Sequence, residues 1–451
     1  MEKTIAGVAT ALGIGAISII RVSGEEAINI VNKIFIGENL KKAASHTIHY
    51  GFIVEGEKRV DEVLVSIMRA PRTYTKEDVV EINCHGGIIA TNKTLEILLA
   101  NGCELAEPGE FTKRAFLNGR IDLIEAEGVM NLINSQTELN RAAAFNQLQG
   151  SVSARIEKNR KKITDLIAHI AVNIDYPEYE DIEEVTVDKI KKNVRKIKKD
   201  LLEVYQASKN GKLIQEGINT VIIGSPNVGK SSLLNVLIEE NKAIVTDIAG
   251  TTRDLVEGKL NLDGVILNLI DTAGIRKTKD KIEKIGVQKS LELIKKAELI
   301  LLVLDNNKKL DNDELKIIEK VKDKNHIIVI NKIDLKSQID KKQLANANVV
   351  EISTFEQEKV TKLKEKIKEM FNLEKIQQKD LTYLTSARSI ALLQKTIAIL
   401  EEIESSVANN QPVDVLEIDL KRVWHELGLI TGKTYEEEII EQLFANFCLG
   451  K

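Results

Sequence analysis

The segment Gly224-Ser225-Pro226-Asn227-Val228-Gly229-Lys230-Ser231 follows directly on the apolar run Val221-Ile222-Ile223. Residues of these types at this spacing can cradle a polyphosphate. Glycines let consecutive backbone N–H groups turn inward without Cβ clashes. Lys230 offers its charge to the β- and γ-phosphates, and the Ser231 hydroxyl is a ligand for Mg2+. Ser232 lies in the first turn of the helix that follows, whose positive end faces the anion.

Two later segments address the base and the γ-phosphate. The apolar strand Leu267 to Ile270 runs into Asp271-Thr272-Ala273-Gly274. An Asp there reaches Mg2+ through water, and the Gly N–H reports the γ-phosphate. Ile327 to Ile330 reads as a buried strand ending in Asn331-Lys332-Ile333-Asp334. The Asp334 carboxylate can accept from both N1–H and the 2-amino group of guanine. Adenine offers neither donor, so guanine is selected. Ile352-Ser353-Thr354, behind the strand Val349-Val350, is expected to back the guanine edge. Together these motifs predict a GTP-binding domain.

The hydrolytic machinery is less ordinary. Asp247-Ile248-Ala249-Gly250-Thr251-Thr252-Arg253-Asp254 reads as the switch loop, with Thr252 as the second hydroxyl on Mg2+ and Arg253 as a candidate catalytic group. In Ras and Gα a Gln orients the attacking water; the residue that follows Asp-x-x-Gly here is Ile275, which cannot hydrogen-bond. Either hydrolysis is slow or another polar residue does this work, and Glu283 is the candidate among the acidic residues just downstream.

These sites need a scaffold. A chain of 451 residues and 50.3 kDa holds two or three domains. Its formal charge of −4 gives no global basic field for nucleic acid, so any such contact needs a local patch or a partner. Three cysteines without repeating spacing argue against a disulfide framework and fit a reducing cytosol, hence a cytoplasmic protein. No apolar run approaches the roughly 20 residues that span a bilayer, so no membrane partner is expected. Thr4 to Val22 reads as strands and turns, not as a signal peptide.

The first part alternates strand and helix signals. Ala16 to Val22 and Val79 to Ile82 read as strands, Tyr50 to Val54 and Val60 to Met68 as a hairpin, and Glu25 to Ile34 and the stretch ending near Ala100 as helices. From Ile121 helical spacing runs to Ile170 with one interruption at Gly150, and a Lys-rich helix covers about Val187 to Ser208. Helical patterns resume at Ser386 to Ser406, Pro412 to Leu427 and Tyr435 to Phe444. The Lys191 to Lys199 charge run reads as a solvated helix face. The expected fold class is multidomain α/β plus α. It comprises an N-terminal α/β domain (1–118), a helical domain in two parts (119–216 and 375–451) and a Ras-like P-loop GTPase domain inserted between them (217–374). A switch inserted into helices suggests a mechanical transducer.

With these residues in view, the chain resembles the MnmE (TrmE) family of tRNA-modifying GTPases over essentially its whole length. The resemblance is carried by Tyr74 to Glu81, Asn83-Cys84-His85-Gly86-Gly87, Pro108 to Gly119, Asp247 to Asp254, Asp271 to Arg276, Leu429 to Lys433, and the terminal Phe447-Cys448-Leu449-Gly450-Lys451. It implies a homodimer that acts with the flavoprotein MnmG. Together they install a carboxymethylaminomethyl-type group on C5 of the wobble uridine of certain tRNAs. The one-carbon unit comes from 5-formyltetrahydrofolate or a related reduced folate, bound by an N-terminal domain similar in fold to folate-dependent glycine-cleavage proteins. The resemblance also implies that K+ replaces an arginine finger, held by Asn227, Thr246, Ile248 and Thr251, where it offsets charge at the β–γ bridge. Glu283 matches the acidic residue that positions water through a second water. In the folate site, Glu81 matches the group that takes the pterin edge, Arg21 a residue suited to the carboxylate-bearing tail, and Cys448 and Lys451 the tail that reaches this site. Arg120 falls where many members carry Lys, which keeps the charge and changes the geometry. Lys76 stands where Gly is common. Readings from other classes are a ribosome-assembly GTPase of the Era or Der type, for which no Gly-x-x-Gly RNA loop is seen, and a conformational switch that leaves the carbon chemistry to its partner.

Overall fold

The computed structural model describes residues 3–175, 187–239, 258–271, 293–295, 297–344, 348–354, 357–373, 381–409, 411–435, 437–445, 447 and 450. Two compact units emerge. One comprises 1–130, 147–201 and 391–451, the other 131–146 and 202–390.

In the first unit, the described residues form a sheet of seven strands in the order β3-β4-β5-β6-β2-β1-β7. These are β1 (Ile5–Val8), β2 (Ile17–Ser23), β3 (Phe35–Ile36), β4 (Thr47–Glu55), β5 (Lys58–Met68), β6 (Val79–His85) and β7 (Glu104–Leu105). Alternation does the sorting. Along β6, Val80, Ile82 and Cys84 are buried while Glu81 and Asn83 face the other side. Helices α1 (Ala27–Ile34) and α2 (Ile88–Ala100) contribute Ile30, Val31, Ile97 and Leu98 to the core beneath that buried face. Lys76 takes left-handed backbone, φ +60°, and its Nζ donates to the carbonyls of Asn118 and Gly119 at 2.9 Å each. Those two bonds offset the cost of a Cβ at a conformation glycine adopts freely.

Helices α3 (Glu110–Leu117), α4 (Leu123–Ile133), α5 (Glu138–Leu148), α6 (Ser151–Asp175) and α7 (Val187–Glu216) follow. The expectation of a single interruption at Gly150 needs correction. A second break separates α4 from α5, because Ser135 Oγ donates to the Asn131 carbonyl (2.7 Å) at the end of α4. Thr137 Oγ1 then accepts from Asn140 N (3.1 Å) as the cap of α5. α7 also runs past Ser208 to Glu216, where Gly217 at φ +78° ends it.

In the second unit, the described residues form a sheet of six strands, β13-β12-β11-β8-β10-β9. They are β8 (Ile218–Ile223), β9 (Gly258–Leu262), β10 (Val265–Asp271), β11 (Leu299–Asp305), β12 (His326–Asn331) and β13 (Val349–Glu351). Every pairing is parallel except β9 with β10. The central strands are buried on both faces, as a doubly wound sheet requires. Leu299, Leu301 and Val303 enter one core layer, and Ile300, Leu302 and Leu304 the opposite one. The wrapping helices include α8 (Lys230–Glu239), α9 (Asn312–Val321) and α10 (Gln357–Phe371). The later helices are α11 (Ala387–Ala408), α12 (Val413–Thr431) and α13 (Glu437–Phe444). Gly211 of α7 leaves room for the Tyr383 ring, and Leu384 N donates to Ser208 Oγ at 2.9 Å. The chain entering the sheet is thereby fixed beside the chain leaving it.

Candidate functional site

Parallel pairing of β13, β12, β11 and β8 brings their C-terminal ends to one edge, the usual ligand-binding edge of such sheets. Gly224 leaves β8 at φ +150°, and a Cβ on it would lie 2.2 Å from the Val303 carbonyl oxygen. Asn227 is left-handed at φ +64°, and Gly229 follows at +98°. A Cβ on Gly229 would lie 2.2 Å from Asn331 Nδ2, so the phosphate loop meets the guanine motif closely enough to admit only glycine. Asn331 Nδ2 donates to the Val228 carbonyl at 2.9 Å. Its Oδ1 is buried and finds no donor among the described residues.

Lys230 opens α8 and folds back over the loop, where its Nζ donates to the carbonyls of Gly224 (3.0 Å) and Ser225 (2.9 Å). Ser231 and Ser232 fall in the same first turn. Lys332 Nζ donates to the Asn227 carbonyl at 2.8 Å and pairs with Asp305 Oδ2 at 2.6 Å. Burial would raise the Asp305 pKa, but the Lys332 ammonium and the Asn307 N–H outweigh it and hold the carboxyl below its usual range. Ser353, fully buried, donates its Oγ to Asp334 Oδ1 at 2.8 Å. The hydroxyl thus orients the carboxylate expected to read guanine.

Asp271 ends β10 in register with Ile222 of β8, beside the start of the phosphate loop. Thr246, Asp247, Ile248, Ala249, Gly250, Thr251, Thr252, Arg253, Thr272, Ala273, Gly274, Glu283, Cys448 and Lys451 lie outside the described residues. Asp305 escaped the motif reading. Its signal was the apolar run Leu299 to Leu304, whose Asp-terminated end marks another strand reaching the same edge.

The first unit holds a second constellation. Antiparallel register sets Arg21 of β2 opposite Glu81 of β6. Their side chains join, with Arg21 Nε at 2.9 Å and Nη2 at 2.8 Å from Glu81 Oε1. The two were expected to serve different ends of one ligand, and here they are each other's partners. Arg21 Nη1 also donates to the Gly450 carbonyl at 3.2 Å. Gly450, at φ +82°, packs so closely on β1 that a Cβ would lie 2.2 Å from the Val8 carbonyl oxygen. The guanidiniums of Arg21 and Arg120 lie over the Tyr74 ring, at 5.6 and 4.7 Å from its centroid. Tyr74 was not singled out in the sequence, although it heads the segment running to Glu81.

A phosphate loop, an Asn-Lys-x-Asp segment whose Asn331 is buried against that loop, and a mostly parallel, doubly wound sheet place the second unit among P-loop GTP-binding domains. The family model for the MnmE helical domain matches residues 123–448, and that for the GTP-binding protein TrmE N-terminus matches residues 4–120. The tRNA modification GTPase MnmE of Bacillus mycoides is 48% identical over 454 residues, covering 99% of both chains. Its counterpart from Lactiplantibacillus plantarum is 48% identical over 455 residues, covering 99% of this chain and 98% of that one. Among solved structures, the G domain of the T. maritima FeoB iron transporter matches 34% of this chain and 98% of its own. That match has 29% sequence identity and a TM-score of 0.26. The chain belongs to the MnmE family of tRNA modification GTPases.

Proposed function

We propose that this protein hydrolyses GTP to GDP and phosphate and couples that cycle to modification of the wobble uridine of tRNA. In this reading it works as a homodimer in the cytoplasm with the flavoprotein MnmG, adding a carboxymethylaminomethyl-type group at C5. The observation that carries the reading is the 48% identity to tRNA modification GTPases across 99% of the chain. The domain boundaries at 118, 216 and 374 belong to the same proposal.

The residues suit the groups they would hold. The glycine cradle at Gly224 and Gly229, and the buried Asn331 Oδ1 that finds no donor among the described residues, fit a guanine nucleotide. Lys230 and the N–H groups of Asn227 to Ser232 would bind its phosphates, and Asn331, Lys332 and Asp334 its base. Ser231 and Thr252 would hold Mg2+, with Asp271 reaching it through water; Asn227, Thr246, Ile248 and Thr251 would hold K+. Mg2+ and K+ supply positive charge where the leaving phosphate becomes more negative. Glu283 would position water in place of the missing Gln at Ile275, with Arg253 beside the reacting phosphates. The half-buried Arg21–Glu81 pair, with Arg120 on Tyr74, fits a ligand bearing a donor edge and a carboxylate tail, as a reduced folate does. The folate would supply the one-carbon unit, and Cys448 and Lys451 are neighbours in sequence of Gly450, whose carbonyl accepts from Arg21.

The test is GTP hydrolysis in KCl against NaCl at matched ionic strength. Turnover should be clearly faster in K+, and Asn227→Ala should abolish the difference. Glu283→Ala should lower turnover with GTP affinity near normal. Equal rates in both salts would remove the cation from the mechanism.

A further inference from the structure

We propose that Glu314, which belongs to none of the nucleotide motifs, is a positioning residue for the phosphate loop. It sits in the first turn of α9 and is buried, at 7% exposure. Asp311 and Glu314 form a reciprocal capping box, in which Asp311 Oδ1 accepts from Glu314 N (2.8 Å) and Glu314 Oε2 accepts from Asp311 N (3.2 Å). Such a box uses one carboxylate oxygen. The other, Oε1, accepts a hydrogen bond from Ser225 Oγ at 2.9 Å. The capping residue therefore reaches into Gly224 to Ser231.

That contact joins the bonds that Lys230, Lys332 and Asn331 make to the carbonyls of the same loop. Pro226 has no N–H to donate. Asn227 holds a left-handed φ of +64°, a conformation Asn adopts more readily than other L-residues but one that depends on the turn around it. The stretch is held at its far end by Lys332 on the Asn227 carbonyl, 2.8 Å, and at its near end by Glu314 on Ser225. Ser225 also receives Lys230 Nζ on its carbonyl at 2.9 Å. A shift of Ser225 would then misplace both the Lys230 ammonium and the Asn227 side chain. A hydroxyl donating to a buried carboxylate is a charge-assisted bond, stronger than an ordinary one. The inference rests on the loop binding GTP; its K+ arm rests in addition on the proposed cation role of Asn227.

Four variants of the full chain separate positioning from mere support of α9. Ser225→Ala and Glu314→Ala each remove the bond, Ser225→Thr keeps the hydroxyl, and Asp311→Ala breaks the cap without touching Ser225. Dissociation of a fluorescent GDP analogue is followed by stopped flow, together with the KCl concentration giving half-maximal GTPase activity. Ser225→Ala and Glu314→Ala should speed dissociation about tenfold, the scale of one charge-assisted bond. The double variant should be no faster than either single one. Ser225→Thr should stay within about twofold of wild type, and Asp311→Ala should melt earlier with dissociation unchanged. Wild-type dissociation in Ser225→Ala, or equal acceleration in Asp311→Ala and Glu314→Ala, would overturn the proposal. Ser225→Ala decides the matter alone if Glu314→Ala does not fold. The half-maximal KCl concentration should rise in both bond-breaking variants. Should wild type show no preference for K+ over Na+, the cation reading fails while the dissociation rates still decide the role of Glu314.

Discussion

At the residue scale, Asp305 and Lys332 link two parts of the nucleotide site through one ion pair. Asp305 has a depressed pKa when folded, so its contribution is present above the unfolded value of about 3.9 and is lost as pH falls through the folded value. Asp305→Asn should therefore flatten the acid limb of a urea-midpoint profile below about pH 4. Near neutrality it should cost about 2 kcal/mol, less than a fully buried pair because Lys332 is partly exposed. An unchanged acid limb would mean the pair contributes nothing. Ser353→Ala should lower GTP affinity roughly tenfold, since Asp334 loses the donor that orients it, as titration calorimetry can measure. The buried thiols give a third expectation. Burial pushes Cys84 up to about 11 and Cys103 up to about 12. Both should resist alkylation in the native protein at pH 8, and mass spectrometry showing rapid labelling of either would contradict the packing around it.

At the element scale, the informative joints are the ones hydrophobic periodicity ran across. A 3.6-residue pattern marks which face is buried and is indifferent to a four-residue break, so α4 and α5 read as one helix. Hydroxyls make the break. Thr137 caps α5 and also donates to the Gly264 carbonyl, 2.8 Å away in the turn between β9 and β10. Thr137→Val should cost about 1–2 kcal/mol in thermal or urea unfolding. Gly211 is a second such joint. A Cβ there would lie 2.1 Å from Tyr383 Cδ2, and the ring, itself buried, has little room to move. Gly211→Ala should destabilise by about 3 kcal/mol. A variant that melts like wild type would show that α7 and the segment at Tyr383 can separate.

At the scale of the whole chain, Gly450 returns to the first strands. Gly450 packs on Val8 and gives its carbonyl to Arg21. Removing the final four residues should abolish tRNA modification while leaving GTP hydrolysis near wild type. Retained modification would instead favour a protein that only changes shape for its partner. Linear motifs were enough for the phosphate loop, the Asn-Lys-x-Asp segment and the class of the domain, because consecutive residues make each motif and a strand buried on both faces reads as a continuous apolar run. The family was legible for the same reason. Tertiary structure decided which distant residues meet. Arg21 with Glu81, Lys332 with Asp305, and Ser225 with Glu314 are separated by 60, 27 and 89 positions. Such pairs are fixed by strand register and by how helices pack on a sheet, and neither quantity is written in local spacing.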